Sequence, residues 1–434
     1  MVLREFLRLF FETVLGFAIL GLVGIGISFL ILIAINIIEL VTGKPWRKPI
    51  PPLKLSEAEL PHVLVQIPAF NEGELAADAL HAAASLDWPK DKLHIQLLDD
   101  STDETSALAQ RAEQQLRAQG FDILHLRRDD RTGFKAGALA HGLTKNDAPV
   151  IAVLDIDFRP PREWLRATVP YLLADPHAGF VQSRCEFANY RTNWLTRIQG
   201  LMLDSHFVME QATRYRAGWL FQFNGTGGLW RRAAIEAAGG WSGDSLCEDL
   251  DLTIRAELAD WHGVFLMEPA VPGLVPEHLQ HWRVQQRRWS NGFVQVARKV
   301  LGEVWASPWT ISKKISASAL ILIQAFYPCA AIATASFILC ILLRGLHASA
   351  YIPLMEFMLT LIATVAVGMT LVPYLILRRG SLWQYLVTVS SVTPMMVYMS
   401  ISNAPSILKT VVSGSREHFK RTPKSRPVTT PKIS

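Results

Sequence analysis

Half of the 434 residues are hydrophobic, which is too apolar a balance for an ordinary soluble enzyme. The net charge is only +5, and outside the basic tail no basic face interleaved with aromatic residues occurs, which argues against a nucleic-acid-binding protein. The four cysteines are scattered without a CxxC pair, so neither a disulfide framework nor a zinc site is expected.

Four long runs without charged residues are candidates for membrane helices. Each is long enough to cross the hydrocarbon core of a bilayer at about 1.5 Å of rise per residue. The first run exceeds the roughly 7–15 residues of a signal-peptide core and no A-x-A-like cleavage site follows, so we expect it to remain as a helix. The runs are Thr13–Ile38, Ile315–Leu343, Phe357–Leu377 and Gly380–Leu408.

The basic residues predict the orientation, because positively charged flanks stay on the cytoplasmic side of a membrane. We therefore expect a multi-pass protein of the cell inner membrane with a cytoplasmic middle domain and tail. Three crossings after that domain would leave the tail outside, so Gly380–Leu408, interrupted by Pro394 and Pro405, is predicted either to dip in and return or to lie on the cytoplasmic face. The flanking basic residues are Lys44, Arg47, Lys48, Lys313, Lys314, Lys409, Arg416, Lys420, Arg421, Lys424, Arg426 and Lys432.

The middle domain alternates short apolar strands with helical segments, a pattern typical of βαβ units and a mostly parallel sheet. Neither G-x-G-x-x-G nor G-x-x-x-x-G-K occurs, so a dinucleotide-binding fold and a P-loop are not indicated. Strands are predicted at His62–Ile67, His94–Leu98, Ile123–Leu126 and Val150–Leu154, and helices at Glu74–Leu86, Thr105–Ala118 and Lys135–Leu143.

Acidic residues follow two of these strands, where ligands of parallel sheets bind. Asp155 and Asp157 could share Mg²⁺ or Mn²⁺, a hard cation completed by substrate phosphates, or could belong to a solvated turn. A carboxylate of the Asp99-Asp100 pair could accept a hydrogen bond from a uracil or guanine base, while a neighbouring residue could cap the next helix.

Two later strings also suggest chemistry. In Glu248-Asp249-Leu250-Asp251 a carboxylate could act as general base toward a sugar hydroxyl, although acids are also favoured at helix N-termini. In Gln285-Gln286-Arg287-Arg288-Trp289, the first, fourth and fifth residues share one helix face. Arginine there could hold a diphosphate and tryptophan could stack on a sugar, or the helix could lie on a membrane surface.

Together these strings resemble family 2 glycosyltransferases of the GT-A fold, from about Val63 to Lys424. Within that family the chain is similar to the processive cellulose-synthase-like group, above all the plant A and C types, which make mannan and glucan backbones, and their bacterial relatives. The matching strings are QIPAFNE (66–72), LDDSTD (98–103), GFKAGAL (133–139), LDIDF (154–158), FNGT (223–226), EDLD (248–251), QQRRW (285–289) and FKRTPK (419–424).

The resemblance implies an α/β GT-A domain, Rossmann-like with a mostly parallel sheet, joined to α-helical transmembrane segments. We expect a transmembrane helix in residues 1–43, the cytoplasmic catalytic domain in 44–279, interfacial helices in 280–312, transmembrane or interfacial helices in 313–412 and a cytoplasmic tail with a gating loop in 413–434.

The resemblance also implies the role of each site residue. Asp249 would be the catalytic base, and Asp157 with Asp155 would hold the metal. The acceptor would contact Phe223, Asn224, Glu248 and Trp289. The nucleotide sugar would contact Pro68, Glu72, Asp100, Lys135, Asp155, Gln285, Arg288, Thr422 and Lys424.

The chain departs from the family pattern at several points. Cys247 stands where the T-E-D motif has threonine, and Arg421 stands where the gating motif has valine. There are fewer membrane segments than in bacterial cellulose synthase and no C-terminal domain for cyclic di-GMP, so control by that nucleotide and an enclosed single-chain channel are not expected.

The expected function is inverting synthesis of a β-glucan or β-mannan from UDP-glucose or GDP-mannose, with a glycan acceptor, membrane lipid and accessory export proteins as partners. Length and tail slightly favour UDP-glucose. One alternative is a glycolipid synthase that adds one or a few sugars to a membrane lipid. Another is a non-catalytic receptor, against which the intact Asp155, Asp157, Asp249 and Arg288 argue.

Overall fold

The computed structural model describes residues 2–46, 50–344 and 351–413. The residues of the predicted gating loop, including Thr422 and Lys424, lie outside these ranges.

Within the described residues, seven strands form one sheet in the order β3-β2-β1-β4-β6-β5-β7. Neighbouring strands are parallel except that β6 runs antiparallel to β4 and to β5. The strands are β1 (Val63–Ala69), β2 (Leu93–Asp99), β3 (Asp122–Arg127), β4 (Val150–Val153), β5 (Ala178–Phe187), β6 (Gly228–Arg231) and β7 (His262–Gly273). The predicted mostly parallel α/β sheet is confirmed.

The central strands are apolar along nearly their whole length because helices cover the sheet. All four residues of β4 are buried, as are six of the seven residues of β1. Side chains buried on both faces explain why these strands appear in the sequence as continuous apolar runs without alternation.

The helices of the catalytic domain are α2 (Leu75–Ala84), α3 (Thr105–Ala118), α4 (Phe134–Leu143), α5 (Trp164–Ala174), α6 (Trp194–Asp204), α7 (Ala212–Arg216), α8 (Arg232–Ala237) and α9 (Glu248–Leu258). A π-helical turn, Ser205–Gln211, joins α6 to α7. The remaining helices are α1 (Val2–Thr42), α10 (Leu279–Ala306), α11 (Ile311–Ile321), α12 (Phe326–Arg344), α13 (Ile352–Ile376) and α14 (Leu382–Ser413).

Four helical segments of the described chain are long and apolar enough to cross a membrane. They are Val2–Thr42, Ile323–Leu343, Glu356–Ile376 and Leu382–Ser413. The last of them is one continuous helix that passes through Pro394 and Pro405, so the predicted dip and return of this segment is not what the structure shows.

The start of α14 is attached to the catalytic domain, and its end is attached to α10. Just before its start, Arg379 binds the buried Asp204 through two hydrogen bonds of 2.7 Å and Glu186 through one of 2.9 Å. Near its end, the carbonyl oxygen of Val411 accepts a hydrogen bond of 2.9 Å from Arg298 of α10. The helix therefore runs alongside the domain and does not extend away from it.

Candidate active site

The functional side chains gather where the sheet presents the carboxyl ends of its parallel strands. Glu72 follows β1, Asp100 follows β2, and Asp155 follows β4. Because β6 is antiparallel, the loop before it, which carries Asn224 and Thr226, reaches the same edge. In this way the sheet brings four distant parts of the sequence together.

A cavity of about 540 Å³ occupies this edge and continues to the apolar helices. Most of the described residues predicted for the site line it. These are Pro68, Glu72, Asp100, Lys135, Asp155, Asp157, Asn224, Glu248, Asp249, Gln285, Arg288 and Trp289.

Phe223 is the exception among the described site residues. Its side chain is fully buried, and its ring packs edge-on against Phe180 and Trp230 at centroid distances of 5.9 and 5.4 Å. The structure therefore gives Phe223 a place in the hydrophobic core beneath the loop, away from the cavity wall where an acceptor contact was predicted.

Asp100 lines the cavity just after β2 and is held by arginine. Arg128 donates two hydrogen bonds to its carboxylate, at 3.0 and 2.6 Å. The guanidinium of Arg131 lies 3.3 Å from the ring centroid of Phe70, and both residues line the cavity. An aromatic ring, a guanidinium and a carboxylate together can receive a planar base.

Lys135 connects the acidic residues at the centre of the cavity. Its ammonium donates to Asp155 at 2.6 Å and to the carbonyl oxygen of Gly225 at 2.8 Å, and it lies 3.6 Å from Glu248. Burial disfavours the charged amine, but the surrounding carboxylates outweigh it and raise the pKa of Lys135. A cation is thus fixed among carboxylates at the point where a diphosphate would add negative charge.

Asp155 and Asp157 offer only oxygen ligands, which suits Mg²⁺ or Mn²⁺. Asp157 is buried, and one of its oxygens accepts the backbone N–H of Leu274 at 3.0 Å. Asp155 is partly exposed to the cavity. Among the described residues no group of three or more His, Cys, Asp and Glu side chains is placed to hold a metal by itself. The donor set therefore fits a cation whose coordination phosphate oxygens complete.

Asp249 lies in the first turn of α9 with an altered acidity. Burial and the neighbouring charge of Glu248 raise the pKa of Asp249 to about 7, against the opposing effect of Lys135. A carboxylate whose pKa lies near neutral pH is well suited to accept a proton during reaction. Gly225, with φ +75°, lets the loop backbone approach Asp249, since a Cβ at Gly225 would stand 3.0 Å from its Oδ2.

Helix α10 presents Gln285, Arg288 and Trp289 to the cavity, as the spacing predicted. The helix is connected to α9 by a salt bridge of 2.9 Å between Lys299 and the fully buried Asp251. Gly292 also lies so close to Cys247 that no side chain would fit between the two helices. The last acid of the E-D-L-D string therefore joins two helices and does not face the cavity.

The other end of the cavity is largely apolar. Its wall there includes Trp282 and Tyr327, whose hydroxyl donates to Gln286 at 2.9 Å. The aliphatic and aromatic residues around them come from α1, α6, α12 and α14 and include Ile25, Phe29, Met202, Leu203, Phe326 and Met396.

Several lining residues were not predicted. Arg131 lies two residues before the matched GFKAGAL string, and Phe70 belongs to a matched string, but neither was given a role. His206 and Glu210 gave a weaker signal, namely two titratable residues four apart between apolar neighbours. Only the fold shows that these residues face the same cavity as Asp249.

Comparisons with known proteins show to which family the chain belongs. Residues 61–292, more than half of the chain, match the family model described as glycosyltransferase like family 2. Glucomannan 4-beta-mannosyltransferase 2 of Arabidopsis thaliana is 39% identical over 272 residues, which cover 60% of this chain and 51% of that protein. Glucomannan 4-beta-mannosyltransferase 9 of the same plant is 38% identical over 293 residues, 65% of this chain and 55% of that protein. The chain thus spans about half the length of these relatives.

A solved structure shows the same fold. Mannosyltransferase PcManGT from Pyrobaculum calidifontis, in complex with GDP-Man and Mn²⁺, superposes with a TM-score of 0.61 at 19% identity, covering 93% of this chain and all of that one. The predicted GT-A fold is confirmed, and with the family match the conclusion follows: this chain belongs to glycosyltransferase family 2.

Proposed function

We propose that the protein is an inverting membrane glycosyltransferase that polymerises a β-mannan from GDP-mannose. The observation that carries the proposal is the placement of Asp249, with its pKa near 7, beside Lys135 and the Gln285–Trp289 face in one cavity. This cavity runs from Asp100, the proposed contact of the nucleobase, to the apolar helices.

The reaction would be a single displacement. As the acceptor hydroxyl oxygen bonds to the anomeric carbon of the donor, its proton passes to Asp249, and the bond between that carbon and the diphosphate breaks. Lys135 and Arg288 would stabilise the charge of the departing nucleoside diphosphate. Displacement from one face inverts the configuration, so an α-linked donor sugar gives a β-linked product.

Mg²⁺ or Mn²⁺, held by Asp157 with Asp155, would supply further positive charge against the diphosphate. Trp289 would offer its ring to the terminal acceptor sugar, with Glu248 and Asn224 nearby. Pro68, Glu72 and Asp100 would surround the nucleobase, and the predicted donor contacts of Thr422 and Lys424 lie outside the described residues.

Mannose is proposed over glucose for two reasons. The relatives are named glucomannan 4-beta-mannosyltransferases, and PcManGT was solved with GDP-Man and Mn²⁺. This choice replaces the slight preference for UDP-glucose that length and tail suggested.

For topology, we place α1, α12 and α13 across the inner membrane and α14 along its cytoplasmic surface. At about 1.5 Å per residue α14 is about 48 Å long, so a spanning helix of this length would carry its ends to opposite sides. Its start instead contacts the catalytic domain, and its end contacts α10 next to the Lys299–Asp251 bridge to α9. Two crossings after the domain then return the chain to the cytoplasm, as the basic tail requires.

A glycolipid synthase is the second candidate, and the apolar wall formed by α1, α6, α12 and α14 favours it. That wall could admit a lipid-linked acceptor as well as the start of a glycan path coupled to export. The two functions share the donor chemistry and differ only in the product.

Product analysis separates these candidates. Purified protein in detergent or vesicles would receive radiolabelled GDP-mannose or UDP-glucose with Mg²⁺ or Mn²⁺. We expect GDP-mannose alone to give a high-molecular-weight product that resists lipid extraction. A small product that enters organic solvent would establish the glycolipid synthase, and incorporation of glucose alone would refute the mannan assignment.

A further inference from the structure

A histidine–glutamate pair lies in the cavity wall, between the catalytic base and the apolar end. His206 and Glu210 are four residues apart on the π-helical turn Ser205–Gln211, and both line the cavity. Single π-helical turns are rare and occur frequently at functional sites. The reaction described above leaves both residues without a role.

Glu210 holds a proton on His206. The carboxylate is buried and accepts hydrogen bonds from Nδ1 of His206 at 3.0 Å and from Nε of Arg214 at 3.2 Å. Burial opposes ionisation, but these two partners outweigh it and lower the pKa of Glu210 to about 2. For His206 burial likewise opposes the charge, while the bond to Glu210 raises the pKa above its usual value. His206 therefore keeps its proton to a higher pH than an isolated histidine does.

Other charges near the turn are paired locally. On the elements that pack against it, Asp204 and Glu186 are bound by Arg379, Arg184 pairs with Glu268, and Glu39 pairs with Arg216. Glu210 and Arg214 are thus the charged groups that bear most directly on His206.

The second ring nitrogen of His206 orients Asn224. An imidazolium donates from both nitrogens, and Nε2 of His206 lies 2.9 Å from Oδ1 of Asn224. The same oxygen accepts from the amides of Gln211 and Gln222, each at 3.2 Å. With its oxygen fixed by three donors, the amide nitrogen of Asn224 has a defined direction, and only one of its two hydrogens is needed for the carbonyl of Gln222 at 3.3 Å.

This carboxamide stands next to the reacting groups. Asn224 lines the cavity and is followed by Gly225, whose carbonyl binds Lys135 and where an added Cβ would stand 3.0 Å from Oδ2 of Asp249. Beside it, Oε1 of Gln222 is buried and has no hydrogen-bond partner among the described residues. That oxygen is shielded from the cavity, so the polar group that this wall offers to a sugar hydroxyl is the second amide hydrogen of Asn224.

We propose that His206 is a positioning residue for the acceptor, which by fixing the carboxamide of Asn224 directs the reacting hydroxyl of the terminal sugar toward Asp249. The proposal rests on the proposed function for the nature of the acceptor. Donor binding at the far end of the cavity does not depend on His206. Substitution of His206 should therefore change the acceptor KM and leave the donor KM unchanged, which makes the proposal testable.

The test uses the full-length protein with GDP-mannose, Mn²⁺ and a β-1,4-linked manno-oligosaccharide acceptor. His206→Leu is expected to raise the acceptor KM about tenfold or more, as for a lost hydrogen bond to a charged group, while the donor KM and donor hydrolysis without acceptor stay within about twofold. His206→Gln, which can still donate to Asn224, should recover part of the loss.

His262→Gln is the matched control, because His262 also binds a carboxylate, Asp175, at 2.8 Å but does not line the cavity. It should leave both KM values unchanged. In the parent enzyme the acceptor KM should increase as pH rises and His206 loses its proton. Glu210→Gln should move that increase to lower pH, because it removes the charge that holds the proton.

An unchanged acceptor KM in His206→Leu, or equal increases in both KM values, would overturn the proposal. If His206→Leu fails to bind GDP, the substitution has disturbed the fold. His206→Gln and Glu210→Gln then test the proposal by the same comparison of acceptor KM and donor KM. A parent enzyme that neither transfers nor hydrolyses GDP-mannose would instead overturn the proposed function.

Discussion

The two ends of the cavity differ in how they are built. At the donor end, charged side chains from loops after adjacent strands form a dense set of hydrogen bonds, as in the two bonds from Arg128 to Asp100. At the acceptor end, the wall comes from α1, α6, α12, α14 and the π-helical turn, and it is mostly apolar. A diphosphate needs fixed charges, whereas a sugar chain or lipid that must move onward needs a smooth surface with few polar contacts. The following predictions test this division from the largest expected effect to the smallest.

Asp249→Asn should abolish transfer, because Asp249 is the proposed general base. General-base catalysis typically contributes about 10²–10⁴-fold, and donor binding should be nearly unchanged. Initial rates with labelled donor would measure the loss, with Asp244→Asn as a control at an exposed carboxylate of the same segment. More than about a tenth of the activity remaining would show that Asp249 is not the base.

Arg288→Gln should weaken the donor end selectively. A hydrogen bond to a charged group contributes about 1.5–3 kcal/mol, so kcat/KM for the donor should fall roughly 10- to 100-fold. Arg287→Gln is the matched control, because Arg287 is its neighbour on α10 but does not line the cavity. Equal losses of kcat/KM for the donor in the two variants would show that Arg288 does not bind the diphosphate specifically.

The pH profile should report the carboxylate at the centre of the cavity. The base must be ionised, so below the pKa of Asp249, about 7, kcat/KM should fall about tenfold per pH unit. Glu248→Gln removes the negative charge that raises the pKa of Asp249, so the acidic limb of the profile should move to lower pH. Lys135→Met removes the positive charge that lowers this pKa, so the limb should move to higher pH. A limb that stays in place in both variants would assign it to another group.

Asp251→Asn should lower the free energy of unfolding more than it lowers the rate of transfer. The variant weakens the buried link to Lys299 and Arg255, and we expect a loss of about 1–3 kcal/mol because those partners remain partly exposed to water. Thermal unfolding in detergent, compared with Asp244→Asn, would measure it. A fall in kcat with unchanged unfolding temperature would instead place Asp251 in the reaction.

The sequence allowed many of the cavity residues to be predicted because they lie in short strings at strand ends or on one helix face. Asp155 and Asp157 follow a buried strand directly, and Gln285, Arg288 and Trp289 share a face by helical spacing alone. The parallel sheet and four apolar helices followed from periodicity and length.

The apolar part of the cavity wall could not be predicted in this way, because its residues are distant in the sequence and resemble those of any membrane helix. Nothing local distinguishes Phe29 or Met396 from other residues of a membrane helix, and His206 becomes meaningful only beside Asn224, eighteen residues later. Phe223 was predicted to contact the acceptor because it lies in a matched string, but its ring packs into the hydrophobic core.

The link between α9 and α10 also ties together two residues of the cavity. Asp249 lies on one of these helices and Arg288 on the other, and the Lys299–Asp251 salt bridge and the close contact at Gly292 hold the two helices against each other. A shift of either helix would therefore change the spacing between Asp249 and Arg288, even though neither residue takes part in the contacts that hold the helices together.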